Sequence, residues 1–262
     1  MPIDLTIIIP TRDEEANICE LLRQIEVATG GLSAEVIVVD DSDDDTEVRA
    51  RSAAAVSTMP IRVVHRNTED RWGGLGGAVC DGLSAAVGQW AVVMDGDLQH
   101  PPAVIPALYR RAQESGADMV VASRYVEGGN ADGLAGAFRR RVSLVSVLMT
   151  RAMFPRRLRH CSDPMSGFFL LRRTAVDTDT LTPRGYKILL EILVRHRLDV
   201  AEVPFQFADR TAGTSKAGAV EGMRFLRQLG GLRLAPGASR PTRIIDLRDR
   251  VAVVEEESVV SR

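Results

Sequence analysis

"VVMDGDLQHPP", residues 92–102, sets Asp95 and Asp97 one residue apart, directly after a run of small apolar side chains. A short unbroken apolar run bounded by turn residues is the pattern of a strand buried on both faces. The two carboxylates then stand at its carboxyl end. Upstream, "GGLGGAVCDGLSAAV" reads as a glycine turn entering a helix; downstream, "PPAVIPALYRRAQESG" predicts a helix opening on proline, and "ADMVVASRY" a further strand. The same alternation holds nearer the N-terminus. "LTIIIP" at 5–10 reads as a buried strand broken by Pro10, "EANICELLRQIEVA" as an amphipathic helix, "EVIVVDD" as a strand, "DTEVRARSAAAVS" as a helix and "IRVVHR" as a strand. Strands alternating with helices predict parallel βαβ units, whose ligands gather beyond the carboxyl ends of the strands. Asp40, Asp41, Asp95, Asp97 and Arg124 all fall at such ends.

A chain of 262 residues is long enough to bury a substantial core as one α/β domain. The net charge of -2 gives no overall positive field of the kind a dedicated nucleic-acid binder carries. Cys19, Cys80 and Cys161 are widely spaced and odd in number, which favours a reducing, cytoplasmic setting over a disulfide framework. No window offers the roughly 18 uninterrupted apolar residues of a membrane span. Peripheral contact with a membrane stays open.

From residue 127 the texture changes. "EGGNADGLAGAF" reads as a loop, and "FRRRVSLVSVLMTRAMF" as a helix with Phe138, Val142, Val145, Met149 and Met153 on one face and Arg139, Arg140 and Arg141 near its start. Such a helix suits a membrane surface or its own core equally. "DPMSGFFLLRR" places Gly167 in a turn feeding an apolar strand, "GYKILLEILVRH" predicts a helix and "DVAEVPFQF" a strand. "RTAGTSKAGAVEGMRFLRQL" begins as a polar loop and becomes helical, and after Gly231 the chain reads as linker or tail. Residues 1–230 are expected to form the catalytic domain and 231–262 a partly ordered tail.

Two carboxylates in Asp-x-Asp spacing are a weak signal alone, since a solvated turn has the same spacing. Placed after a buried strand, they suit a hard divalent cation such as Mg2+ or Mn2+, with Gln99 as a neutral oxygen donor and His100 as a turn residue. Asp41 is a candidate for nucleotide hydroxyls, whereas Asp43, Asp44 and Asp45 read more simply as a hydrated loop. Glu14 is either an early helix cap or a ligand contact. Arg210 and Lys216 flank a hydroxyl-containing stretch and can enclose a diphosphate, or form an exposed basic loop. "GGLGGA" lacks the lysine and hydroxyl of a P-loop. Cys161, Trp72 and Trp90 are expected to serve core or local packing.

Taken in order, "TIIIPTRDEEANI", "EVIVVDDSDDDT", "GLGGAV", "DGDLQHPP", "ASRYVEGG", "RRRVSLVS", "DPMSGFF", "GYKILLEIL" and "VPFQFADRTAGTSK" closely resemble the polyprenyl-phosphate glycosyltransferases of the dolichol-phosphate mannose synthase type, over residues 4–228. The resemblance implies a GT-A nucleotide-sugar transferase fold, an α/β architecture with a mainly parallel central sheet flanked by helices. It implies inverting transfer of a hexosyl group, mannose from GDP-mannose, to a polyprenyl phosphate. Asp95, Asp97 and Gln99 would form the metal centre. Pro10, Arg12, Glu14 and Asp41 would border the nucleotide, with Arg210 and Lys216 on its phosphates. Arg124, Arg139 and Ser143 would receive the acceptor phosphate.

The chain departs from the family pattern on the donor side. Pro10, Thr11, Arg12, Asp13 and Glu14 stand where Pro-Thr-Tyr-Asn-Glu is usual, and "SDDDT" is denser in acid than the family's second motif. UDP-glucose or another donor therefore stays open beside GDP-mannose. The C-terminal hydrophobic hairpins of some relatives have no counterpart in this sequence, so lipid access is expected through the 138–154 helix or a separate membrane partner. A soluble transferase with a non-lipid acceptor and an inactive nucleotide-sugar-binding protein are the two alternative readings.

Overall fold

A computed structural model describes residues 3–130, 137–183, 187–208 and 219–234, with side chains at 137–143, 219–224, 226 and 234 outside the description. In chain order the elements are β1 (Leu5–Thr11), α1 (Ile18–Ala28), β2 (Ala34–Asp40), α2 (Thr46–Val56), β3 (Ile61–His65), α3 (Gly74–Ala85) and β4 (Trp90–Val93). There follow α4 (Ile105–Ser115), β5 (Met119–Ser123), α5 (Ala137–Met153), β6 (Phe169–Arg172), α6 (Ile188–Arg195), β7 (Val200–Pro204) and α7 (Ala219–Leu234). The last helix crosses Gly231, where the sequence suggested a linker, and ends at Leu234.

The strands form one seven-stranded sheet in the order β3-β2-β1-β4-β6-β5-β7. β1 pairs in parallel with β2 and β4, β2 with β3, and β5 with β7. β6 runs antiparallel between β4 and β5. Chain order leaves β1 in one direction towards β2 and β3 and in the other towards β4, so β1 and β4 meet at a topological switch point. The region beyond the carboxyl ends of strands at such a switch point is where open α/β sheets bind ligands.

The unbroken apolar runs of β1 and β2 are buried because both faces of the sheet are covered. Ile8, Ile37 and Val39 pack with Ala78, Val79 and Leu83 of α3 on one side. Ile7, Ile9, Val36 and Val38 pack on the other with Ile18, Leu21, Leu22 and Ile25 of α1 and with Ile105 and Leu108 of α4. Each of these fully buried aliphatic side chains contributes about 1.5–3 kcal/mol relative to exposure. Burial of α1 thus fixes where the loop between β1 and α1 crosses the sheet edge.

Pro10 does not break β1. The strand continues through Pro10, opposite Val39, to Thr11, opposite Asp40. Met94 N–H donates to Ile8 O, so alternate residues of β1 from Ile8 onward present their backbone towards β4. Pairing with β4 ends at Ile8 and Val93, so the N–H that Pro10 lacks faces the side where β4 has already parted from β1.

Candidate active site

The turn after β4 is shaped by its own backbone. Leu98 takes a positive φ of 63°, and Asp97 Oδ1 accepts the Gln99 N–H at 3.2 Å. Asp95 N–H donates to His100 Nδ1 at 3.0 Å, which requires that nitrogen to be unprotonated. The His100 ring is 2 % exposed, stacked on Phe168 with Phe205 and Phe207 edge-on. Burial pushes its pKa below the ordinary value, outweighing Asp95 and Asp97. His100 is therefore a neutral plug that holds the turn.

Gly167, just before β6, backs Asp95 so closely that a Cβ at this position would lie 2.8 Å from Oδ2. The Asp95 side chain is 38 % exposed while Asp97 is buried. Gln99 Nε2 donates to Ala208 O at 3.1 Å, which turns its amide oxygen the other way. Two carboxylates and an amide oxygen are hard donors that fit a divalent cation. Among the described residues no group of three or more His, Cys, Asp or Glu forms a metal cage. A cation here would complete its shell with water and substrate phosphate, as Mg2+ does.

Beyond the carboxyl ends of β1, β2 and β3 the loops are laced together. Asp40 is a buried hub, accepting from Thr11 Oγ1 at 2.7 Å and pairing with His65 Nδ1 at 2.8 Å. Asp41 is held in a two-point bond by Arg66, Nε to Oδ1 at 2.7 Å and Nη2 to Oδ2 at 2.6 Å. Arg66 also reaches Asp81 and the carbonyls of Trp72 and Gly74. Burial opposes its charge, but Asp41 and Asp81 outweigh it and raise the pKa. Asp43 is not simply hydrated, because Arg71 Nη1 donates to it at 2.7 Å.

Asp13 takes a positive φ of 56°, its N–H on Ser42 Oγ and its Oδ1 accepting from Asp43 N–H. Glu14 accepts from Asn17 Nδ2 at 2.8 Å, and its carbonyl takes the N–H groups of Asn17 and Ile18 at the start of α1. Arg12 stands exposed on the rim of this loop. No motif in the sequence singles out Arg66, although the basic residue closing "IRVVHR" stands at a strand end opposite the acidic pair.

The opposite wall is built on Arg124 at the end of β5. It is nearly buried and bonds Asp163 through Nε at 2.7 Å and Nη2 at 2.9 Å. Its carbon Cζ lies 5.5 Å and 5.6 Å from the ring centres of Tyr125 and Phe207. Burial opposes the cation, yet Asp163 raises its pKa. Lys187, at the N-terminus of α6, donates from Nζ to Met165 O at 3.1 Å. Burial, followed by the charge of Arg124, lowers its pKa to about 8. Asp163 opens "DPMSGFF" and Lys187 lies in "GYKILLEIL", but nothing local in the sequence marks them as partners of Arg124.

Arg139 and Ser143 lie in α5 with side chains outside the described residues, and Arg210 and Lys216 fall outside them altogether. Trp90 and Cys161 are buried, as the sequence suggested. Trp72 is not: it is 54 % exposed, because the turn that carries it is fixed by its backbone rather than by its ring.

A mostly parallel sheet whose switch point carries Asp-x-Asp beside an acidic edge at the ends of β2 and β3 is the architecture of a GT-A transferase fold. The profile described as Glycosyl transferase family 2 matches residues 6–179, and the chain belongs to that family. It is 40 % identical over 227 residues to a dolichol-phosphate mannosyltransferase of Pyrococcus furiosus, covering 86 % of this chain and 62 % of that protein. The protein of the same name from Saccharomyces cerevisiae is 33 % identical over 241 residues, covering 87 % and 86 %. Among solved structures, glucosyl-3-phosphoglycerate synthase of Mycobacterium tuberculosis, in complex with Mn2+, UDP and glucosyl-3-phosphoglycerate, superposes with a TM-score of 0.65. It is 25 % identical, with 91 % of this chain and 81 % of that chain covered.

Proposed function

We propose that this chain transfers a hexosyl group, mannose from GDP-mannose, to the phosphate of a polyprenyl lipid of the dolichyl type, with inversion at the anomeric carbon. The carrying observation is that Asp95, in the oxygen-rich Asp95–Asp97 turn, lies close enough to act electrostatically on both Lys187 and the Arg124 guanidinium that Asp163 holds by two hydrogen bonds. Relatives of the same family bearing the dolichol-phosphate mannosyltransferase name support the choice of donor and acceptor.

Asp95, Asp97 and Gln99 would hold Mg2+ or Mn2+, which when bound supplies positive charge to the departing nucleoside diphosphate. Pro10, Arg12, Glu14 and Asp41 border the nucleotide, and Arg210 and Lys216 take its phosphates. Asp163 occupies Nε and Nη2 of Arg124, which turns Nη1 to the other edge of the guanidinium, towards an acceptor phosphate. Arg139 and Ser143 complete that acceptor site. The lipid phosphate is already anionic, so its oxygen attacks without a general base. The state of His100 agrees, since its Nδ1 already takes the Asp95 N–H and its ring is covered by phenylalanines.

Among the described residues no helix is long and apolar enough to cross a membrane. Leu144, Val145 and Leu148 are exposed along α5, the helix that opens with Arg139–141. That face supports peripheral attachment to the cytoplasmic side of a membrane.

The test pairs GDP- and UDP-sugars, each with Mg2+ or Mn2+, with a polyprenyl phosphate and with a soluble acceptor, and identifies products by mass. Product with the lipid phosphate is expected; turnover confined to a soluble acceptor would overturn the reading. Asp97→Ala is expected to abolish transfer and keep the fold, and near-normal metal-dependent turnover in that variant would sink the metal assignment.

A further inference from the structure

Trp72 stands out in the donor-side loops: it is a tryptophan 54 % exposed in a segment held firmly on both sides. Its neighbour Arg71 donates to the Asp43 carboxylate at 2.7 Å and to Ser42 O at 2.9 Å. Its own carbonyl accepts from Arg66, the same guanidinium that holds both oxygens of Asp41. Gly73 follows in the left-handed conformation with φ of 69°, where a side chain would be strained. The backbone of Trp72 thus stands one guanidinium away from Asp41.

Folding does not explain the exposed ring, since the chain's other tryptophan, Trp90, is 1 % exposed beneath Arg172. The surroundings suit a heteroaromatic ligand. Space over Gly74 is open, and Leu75 is partly exposed beside it. The Asp43 side chain is 65 % exposed on the same rim, with oxygens able to accept from ring N–H groups. A large flat ring on a pinned backbone loses little conformational freedom when a planar ligand stacks on it.

We propose that Trp72 is the aromatic wall of the nucleobase slot and stacks on the base of the donor nucleotide. This rests on the nucleotide-sugar reading above and adds a base-binding residue to it. Stacking is tolerant of base identity because every base has a π face. Trp72 accordingly contributes affinity for the base, while the neighbouring carboxylates select among bases.

Fluorescence tests this directly, because the sequence has only two tryptophans and Trp90 is shielded. GDP and UDP are titrated with Mg2+ into the full-length protein, with Mg2+-pyrophosphate as the baseless control and calorimetry as an independent measure of binding. Saturating nucleotide is expected to quench the red-shifted emission and protect it from acrylamide, and pyrophosphate to do neither. Trp72→Ala is expected to weaken nucleotide binding about ten-fold or more, the loss of one base stacked on an aromatic ring. Pyrophosphate affinity should stay within about two-fold of the parent by the same reasoning, and Trp72→Phe should restore most of the nucleotide affinity. Near-ultraviolet circular dichroism confirms the fold of each variant. Nucleotide binding by Trp72→Ala equal to the parent, or continued acrylamide access at saturation, would overturn this inference and leave the transferase reading standing. Failure of the parent protein to bind any nucleoside diphosphate would overturn both.

Discussion

Gly167→Ala isolates the geometry of the proposed metal centre from its chemistry. The added methyl would lie 2.8 Å from Asp95 Oδ2, 3.0 Å from Oδ1 and 3.1 Å from His100 Cε1, where ordinary contact begins at 3.4 Å. The Asp95 carboxylate must therefore retreat by about 0.6 Å, and the edge of the packed His100 ring by about 0.3 Å. Gly167 has no positive φ, so alanine brings no backbone strain, and the Asp95 side chain is 38 % exposed and can swing outward. The fold should lose less than about 1 kcal/mol, because alanine also narrows the unfolded ensemble. Metal sites tolerate about 0.2 Å of ligand displacement, and changes behind a ligand typically weaken binding about 10- to 100-fold. That range is about 1.4–2.7 kcal/mol of cation affinity. Calorimetric titration of Mn2+ in the presence of GDP, set beside urea unfolding, separates the two effects. Parent-like Mn2+ affinity and turnover in a folded Gly167→Ala protein would refute the reasoning. A loss of fold stability larger than the loss of cation affinity would show that Gly167 serves backbone packing alone.

Arg124→Met strands the fully buried Asp163 carboxylate and should cost about 3–5 kcal/mol in urea unfolding, whereas the double variant with Asp163→Asn should recover much of that stability without recovering transfer. Simple additivity of the two changes would remove the pairing argument. Acid should destabilise the protein through the imidazoles of buried His100 and half-buried His196. Burial depresses the pKa of His100 and of His196 in the fold, so below the ordinary value of 6.5 the unfolded chain takes up protons that the folded chain does not. That contribution is fully present above about pH 6.5 and is lost as pH falls towards the folded values, by at most about 1.4 kcal/mol per pH unit for His100. Urea midpoints between pH 7.5 and 5 check the sign, and a rise in stability on acidification across that window would contradict it.

Much of the architecture was legible because it is local. Apolar runs such as "TIII" and "VIVV" in β1 and β2, followed by amphipathic helices, report burial on two faces, and the position of Asp95 and Asp97 after such a run placed them at a carboxyl strand end. The resemblance motifs added the family but not the contacts. Pro10 shows the limit: its missing N–H reads as a strand break until strand order reveals that β4 has already parted on that side.

The sequence by itself determined the alternating βα pattern, the acidic turn and the basic residues available to it. Only the tertiary structure decided who holds whom. Inserting β6 antiparallel between β4 and β5 brings Asp163 to Arg124 across 39 residues and Gly167 against Asp95. The alignment of β2 with β3 gives Asp41 to Arg66 across 25 residues, and the turn pinned by that arginine leaves Trp72 facing solvent. Periodicity records which side of an element is buried; the partner of a buried charge is set by strand order and by close backbone approach, which no short stretch of sequence contains.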